Sequence, residues 1–400
     1  MPQSNSFAEP VRPPERQSVW ILTILGTLMA FASISTDFYL PAMPAMVDSL
    51  HASAGQIEFS ITSYLIGFSL GQLLWGSIGD RYGRRLPVAV GLLLFVLGSS
   101  GCAMSGDAIT MIIWRTVQAV GACASVVLAR AMIRDLYQGY RAAQMLSTLL
   151  TIMAVAPLLG PTIGGVILML GSWHLIFWML AAFGLVTLAA LYTLPETLPT
   201  KRRNYEQFGS AFRRYGELLR DGHFLGNASA SGFYYGGMFA YIAGTPFAYI
   251  DYYHLSPQAY GILFGSSIVG IMLVNQINAR LVKYFGGDRL MRHGAFLVAF
   301  ATVWLAIDAW SGLGGLPGLA APLFVFIAAS GLIIANSIAG AMNRLPHVAG
   351  SASALIGAIQ YGTGVIGSGL VGLWTDGTPG RWQRSSPFSV QRPLYAFCAP

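Results

Sequence analysis

Charge is scarce in this sequence: only 10% of its 400 residues are Asp, Glu, Lys or Arg. A water-soluble domain carries about 25%, so the chain lacks the polar surface that a water-exposed fold needs. Cysteine is scarcer still. Cys102, Cys123 and Cys398 are few, odd in number and mostly inside apolar runs, which excludes a disulfide scaffold. The six histidines are scattered with no pair at i, i+4, so no metal site is expected. The phosphate-cradling pattern G-x-x-x-x-G-K-[ST] is missing, which excludes an ATP-driven machine on this chain. An enzyme would need a catalytic constellation, and a receptor large extramembrane domains. Neither is visible.

What is present is long apolar runs. Hydrophobic residues make up 54% of the chain and its mean hydropathy is +0.59. Eleven runs are long enough to cross a hydrocarbon core of about 30 Å. They are Val19–Leu40, Ile57–Gly79, Val88–Met104, Ile109–Ala131, Ala143–Leu170, Trp173–Leu194, His223–Ile250, Tyr260–Val282, Leu290–Trp310, Leu319–Met342 and Ala349–Trp374. Their period is helical, unlike the alternation of a membrane barrel. The polar, proline-containing stretch 1–18 lacks the apolar core of a signal peptide, so the first run is expected to be retained.

Lys and Arg in the connections set the orientation. With the N-terminus inside, one set of connections takes 19 of the 23 basic residues. It includes Arg81, Arg84, Arg85, Arg130, Arg134 and Arg141, six in the stretch 195–222, and Arg344. The opposite connections hold none, so a cytoplasmic N-terminus is expected. The +7 net charge therefore reports topology and not nucleic-acid binding. The polar stretch 195–222 divides the runs after the sixth. Starts near Val19 and His223 and turn glycines at Gly83 and Gly286 repeat at about the same interval, as in a duplicated, parallel pair of halves. The expected organisation is a tail (1–18), a six-helix half (19–194), a central loop (195–222), a second half of five visible helices (223–374) and an aberrant polar tail (375–400).

Motifs narrow the reading. Gly76-Ser-Ile-Gly-Asp80-Arg81-Tyr-Gly83-Arg84-Arg85 lies between the second and third runs. Glycines allow close helix approach and a tight turn, and an aspartate can accept hydrogen bonds at a neighbouring helix N-terminus. Basic residues alone would also fit a loop that merely fixes orientation; the Asp and the Gly spacing do not need that role. The segment resembles the signature loop of the major facilitator superfamily. That resemblance implies an all-α membrane fold of two six-helix halves and a latch that holds the halves together in the outward-facing state. Here the twelfth helix is missing or altered. Ala156-Pro157-Leu-Leu-Gly160-Pro161-Thr-Ile-Gly164-Gly165 in the fifth run resembles the family's antiporter motif, with Ala156 in place of its first glycine. A generic small-residue packing face is the alternative.

Arg115, in Arg115-Thr-Val-Gln118-Ala119-Val-Gly121, sits inside the fourth run. Burying arginine costs at least ~2.5 kcal/mol, which calls for a partner or a watery cavity, although snorkelling to the interface is within its reach. It resembles a family motif, with Ala119 in place of the central glycine, whose arginine serves proton coupling or substrate binding. Asp37 is the clearest intramembrane acid, and could share a cavity with Arg115 or simply cap the end of the first helix near Pro41. Asp308 reads as interfacial. Tyr64, Gln72, Gln118, Asn275, Asn278, Asn336, Gln360 and Tyr361 could line a cavity or make interhelical hydrogen bonds.

Together with Pro195-Glu-Thr-Leu and Ser172-Trp-His-Leu-Ile-Phe-Trp, the run from Asp37 to Pro44 resembles the Bcr/CflA drug-resistance branch, the bicyclomycin and chloramphenicol/florfenicol exporters. The resemblance covers roughly residues 15–375. It implies a proton-coupled antiporter of the bacterial inner membrane that exports small amphipathic antibiotics, works as a monomer, and uses the proton gradient without a cofactor. Some members carry a second acid eight positions before Asp37; Met29 stands there, so coupling would rest on Asp37 alone. The competing expectations are a proton symporter importing a small solute and a truncated chain that no longer transports. In the tail, Arg381, Arg384, Arg392, Pro387 and Pro393 interrupt every apolar window. Beginning each codon one base earlier from Gly380 converts the serines, if encoded TCN, to apolar residues. A frameshift near residues 379–380, in the gene or its sequencing, is the expected cause of the missing helix.

Overall fold

The computed structural model describes residues 15–137, 139–203, 208–311, 314–343 and 349–374. Backbone polar groups inside a bilayer have to be satisfied within the segment, so the apolar runs become helices. In chain order these are α1 (Glu15–Asp37), α2 (Met43–Ser49), α3 (Ala54–Tyr82), α4 (Arg85–Ala103), α5 (Ala108–Leu136), α6 (Gly139–Leu170), α7 (Trp173–Leu191), α8 (Phe208–Leu218), α9 (Gly222–Pro246), α10 (Pro257–Phe285), α11 (Gly287–Ser311), α12 (Gly315–Ala328), α13 (Ser330–Met342) and α14 (Ala349–Trp374). No strand occurs among the described residues. Nine stretches among them are long and apolar enough to span a membrane. The expected fifth and seventh spans fall on α6 and α9, helices long enough to cross but outside those nine. The tail 375–400, with the frameshift expectation, lies outside the described residues.

The duplicated turns are built alike. Gly83 ends α3 at φ +92° and Gly286 ends α10 at φ +76°, the left-handed region that glycine enters without strain. Four details differ from the expected spans. Pro41 and Pro44 stop α1 from continuing, and the chain turns through a buried 3-10 segment, Leu40–Ala42, into α2. α5 runs on to Leu136, so Arg130 and Arg134 are helical residues and not part of a connection. α9 closes at Pro246 and passes into a π-turn, Phe247–Tyr252. The tenth span is broken at Ala329 into α12 and α13.

One end of the bundle carries Arg84 and is called the basic end; the other, at Asp107, is the far end. The halves meet along two seams. On one, α3 packs on α14: Thr62 and Ser368 hydroxyls lie 3.0 Å apart, and Ser69 Oγ donates to the Ala358 carbonyl at 3.0 Å. On the other, α6 packs on α10, with a Cβ at Gly265 falling 3.0 Å from the Leu158 carbonyl oxygen. At the far end, Tyr39 and Met43 of the first half share one apolar core with Phe247, Tyr249 and Tyr260 of the second. That end is closed. At the basic end α8 clips the halves, its buried Leu218 packed with Ala341 and Ile356 while Tyr215 Oη donates to the Leu73 carbonyl at 3.3 Å.

Candidate functional site

Asp37 is the last residue of α1 and is 5% exposed. Its Oδ2 is buried without a hydrogen-bond partner. The segment Gly160–Gly165 of α6 wedges against it. A Cβ on Gly160 would stand 2.6 Å from the Asp37 Cβ, and one on Gly164 would collide with the Phe38 carbonyl oxygen. Pro161, between them, is buried. On the other side of the wedge, Gln258 Nε2 of α10 donates to the Gly165 carbonyl at 3.1 Å. Tyr260 of α10 lies within electrostatic reach of Asp37. The antiporter-type glycines thus make the surface on which both α1 and the second half sit, and Asp37 is held at that seam. Gly164→Val is expected to cost about 1–3 kcal/mol by overpacking; an unchanged melting temperature in detergent would show that the approach is looser than described.

Arg115 is fully buried, which removes snorkelling. Its Nη1 donates to the Ser35 carbonyl at 3.0 Å and to Gln118 Oε1 at 2.6 Å. The guanidinium lies 4.6 Å from the Tyr39 ring centroid and 4.5 Å from that of Tyr64, so ring faces take the charge where no oxygen does. Tyr64 is fixed in turn by a 2.6 Å hydrogen bond with Ser35 Oγ. Asp37 is not among the partners of Arg115. Ser35 and Asp37 are two residues apart, about 200° around a helix, so α1 turns its carbonyl to Arg115 and its carboxylate to the seam. The expected shared cavity is therefore two separate places.

Other expected lining residues divide the same way. Gln118 spends its amide on Ser99 Oγ at 2.7 Å and its oxygen on Arg115, inside the first half. Asn336 Nδ2 donates to Asn278 Oδ1 at 2.7 Å and to the Leu332 carbonyl at 2.8 Å, an interhelical clamp of the second half. Neither lines the seam. Tyr361 does: its ring is 4.4 Å from Phe68 of α3 and 5.7 Å from Phe239 of α9. Gln360 beside it is buried with Nε2 unpartnered. Asp308, near the end of α11, is buried, its carboxylate packed against Gly314 and Gly318 at the start of α12. A third buried acid escaped the sequence reading. Glu58, in the first turns of α3, is fully buried, and its charge and that of Arg115 both act on the Tyr39 hydroxyl. Its place near the end of an apolar run disguised it.

At the basic end, Asp80 Oδ1 accepts from Arg84 Nη1 at 2.7 Å, and Arg84 Nε donates to Asp135 Oδ2 at 2.8 Å. Burial works against the Arg84 charge, but Asp135 and Asp80 outweigh it and hold its pKa above the ordinary arginine value. Both ion pairs lie within the first half. The N-terminus of α4, beside this turn, is occupied by Glu196, which accepts from the backbone N–H groups of Arg84 (2.8 Å), Arg85 (3.1 Å) and Leu198 (2.9 Å). A Cβ on Gly83 would stand 2.7 Å from Glu196 Oε2, so the glycine serves both the turn and the carboxylate. Arg85 donates to the Tyr192 carbonyl at 2.7 Å, and Arg81 lies 5.7 Å from the Tyr82 ring. Gly76, expected to permit close approach, faces open space. Glu196→Ala should cost about 1–2 kcal/mol, the scale of a lost N-cap, read as a lower melting temperature; no change would deny it the capping role.

Two halves of buried helices with a carboxylate at their seam is the arrangement of a carrier. Residues 23–368 match the Major Facilitator Superfamily. The chain belongs to that superfamily. It is 36% identical over 368 residues to the uncharacterized MFS-type transporter YdgK of Bacillus subtilis, covering 90% of each chain. It is 30% identical over 354 residues to a bicyclomycin resistance protein homolog of Haemophilus influenzae, covering 88% of each. The crystal structure of a D-xylose-proton symporter superposes with a TM-score of 0.71 over 90% of each chain at 17% identity, a likeness of fold. The superfamily assignment makes the chain a multi-pass membrane transporter, not an enzyme, and its relatives place it with the drug-resistance transporters.

Proposed function

We propose that this transporter exports small amphipathic antibiotics from the bacterial cytoplasm in exchange for protons, by alternating access. The observation that carries the reading is the position of Asp37. It is a buried acid with an unsatisfied oxygen at the contact of α1, the Gly160–Gly165 wedge and α10. A carboxylate there changes the polarity of the seam when it gains or loses a proton, so protonation and seam opening are linked. Drug arriving from the cytoplasm and a proton arriving from outside compete to set that state. The relative named for bicyclomycin resistance supports the substrate class.

In this reading the basic end faces the cytoplasm of a protein in the inner membrane, N-terminus inside, and the monomer works on the proton gradient without a cofactor. Contact between the halves at the far end supports an inward-facing state in this reading. The surroundings of the latch loop support its release: Gly76 meets nothing within 4 Å and Asp80 pairs with Arg84 of its own half. Closure at the basic end would bring the second half onto Gly76 and Asp80. Drug accumulation in cells with and without a protonophore tests the proposal. Export requires low accumulation that rises when the gradient collapses; accumulation that falls instead would mark a proton symporter, and indifference to the gradient a chain that does not transport.

A further inference from the structure

Glu58 of α3 is fully buried, and the exchange described above makes no use of it. Its helix begins with a capping box: the Gln56 N–H donates to Ser53 Oγ at 3.2 Å, and the Ser53 N–H to Gln56 Oε1 at 2.8 Å. Those bonds pin the first turn, and so the face on which each later residue falls. Residues three and four apart share a helix face. Gly55, three before Glu58, and Thr62, four after it, both meet α14. A Cβ on Gly372 would stand 3.3 Å from the Gly55 carbonyl oxygen, and the Thr62 and Ser368 hydroxyls lie 3.0 Å apart. Glu58 therefore lies on the face of α3 that closes on the second half near the far end. Its neighbour Ile57 belongs to the apolar core that joins the halves there, and Tyr39 Oη of the same core donates to the Ile57 carbonyl at 3.3 Å.

A carboxyl enclosed in such a seam is favoured without its charge, and water admitted between the helices removes that preference. Closure and proton uptake are then one event. Packed on α3 are α2, α4, α5, α9 and α14, with α1 bonded through Tyr64. In their far halves the titratable or charged groups are Asp37 of α1, Asp48 of α2, Cys102 of α4, Arg115 of α5 with Asp107 at its cap, and Tyr234, Tyr235 and Tyr241 of α9; α14 has none there. Arg115 is held by Ser35 and Gln118. Cysteine and tyrosine ordinarily titrate above about pH 8. Asp37 sits at the other seam, and the exposed Asp48 and Asp107 meet water whether or not the far end is closed. Glu58 is the acid whose surroundings change when α3 and α14 part. We propose that Glu58 is a second proton-binding site, which holds a proton taken from outside while the far end is closed and returns it when α3 and α14 separate there. Acid outside then favours the closed far end, without that proton crossing the membrane. The site deepens the alternating-access reading above, on which its sidedness rests, while proton-linked closure is measurable without transport.

The test uses the purified full chain in detergent without drug. Spin labels at Met104→Cys of the first half and Tyr252→Cys of the second, both exposed positions, give the far-end distance. Cys398 is replaced by serine, and the buried Cys102 and Cys123 stay. Asp37→Asn is present in both chains compared, so that they differ only at Glu58; the histidines near the far end, His51, His174 and His254, are common to both and cancel. With glutamate in place, the open-to-closed ratio should rise between about pH 5 and 8, by up to about tenfold per pH unit, the limit for one coupled proton. Glu58→Gln should flatten that rise to less than about twofold per pH unit. The same pH response in both chains, or none with glutamate present, overturns the site. If a variant is not monodisperse, the infrared spectrum of the wild-type chain decides. Glu58 is the only fully buried glutamate among the described residues, so a protonated-carboxyl band at neutral pH that shifts with isotope-labelled glutamate is expected, and its absence overturns the site. Glu58-dependent closure with no gradient-dependent efflux in cells would overturn the efflux reading alone.

Discussion

Asp37→Asn is expected to abolish drug-stimulated proton release in reconstituted vesicles while leaving the melting temperature within about 1 °C of wild type, a shift worth less than about 1 kcal/mol in a chain of this size. Asparagine keeps the shape that fits against Gly160 and removes only the exchangeable proton. The seam therefore survives and the coupling does not. Asp37→Glu is a sharper case: the added methylene has to find room where a glycine Cβ would already stand 2.6 Å away, so the protein should lose both stability and transport. Proton release at the wild-type rate in Asp37→Asn would take this residue out of the mechanism. Glu58 would then be the next carboxylate to test, as the other fully buried acid of the first half.

Arg115→Met is expected to abolish efflux yet hold or raise the melting temperature. The guanidinium is bonded to one backbone carbonyl and one amide oxygen, with Nε and Nη2 lacking hydrogen-bond partners. Keeping a cation there costs at least ~2.5 kcal/mol on insertion scales, and an unbranched apolar chain of similar length fills the same space. Gln118 keeps its bond to Ser99. What is lost is the grip on the Ser35 carbonyl, two residues from Asp37, and the stacking that sets Tyr39 and Tyr64. Arg115→Ala, by contrast, leaves a void and should destabilise by about 2–4 kcal/mol. Efflux surviving in the methionine variant would make the arginine a structural relic.

The helical spans, their division into halves and the glycine turns at Gly83 and Gly286 could be read from hydropathy and spacing, because a bilayer leaves the backbone few options. Facing was less legible. Asp37 and Arg115 occupy corresponding depths, which sequence shows, but whether they meet depends on the helix rotation between Ser35 and Asp37, which it does not. Gln118 and Asn336 look like cavity residues for the same reason: an amide inside an apolar run has the same signature whether it faces a cavity or a neighbouring helix. Arg130 was assigned to a connection because its span was ended one residue later, at Ala131, whereas the helix continues to Leu136. Glu196 contributed to the family resemblance but no local pattern connected it to the Gly83 turn, more than a hundred residues earlier.

The clamp around Arg115 also bears on how the chain is made. Synthesis runs from the N-terminus, and each span leaves the insertion machinery in turn. By the time α5 emerges, Ser35, Tyr39, Tyr64 and Ser99 already exist, and of the groups around the guanidinium only Phe177 is still to come. The most costly side chain in the first half thus meets its hosts at birth. Asp37 has the opposite history: Gly160, which packs against it, and Tyr260, within its electrostatic reach, are translated more than a hundred residues after it. The charge that must never move is housed early, and the acid at the moving seam waits until the second half arrives.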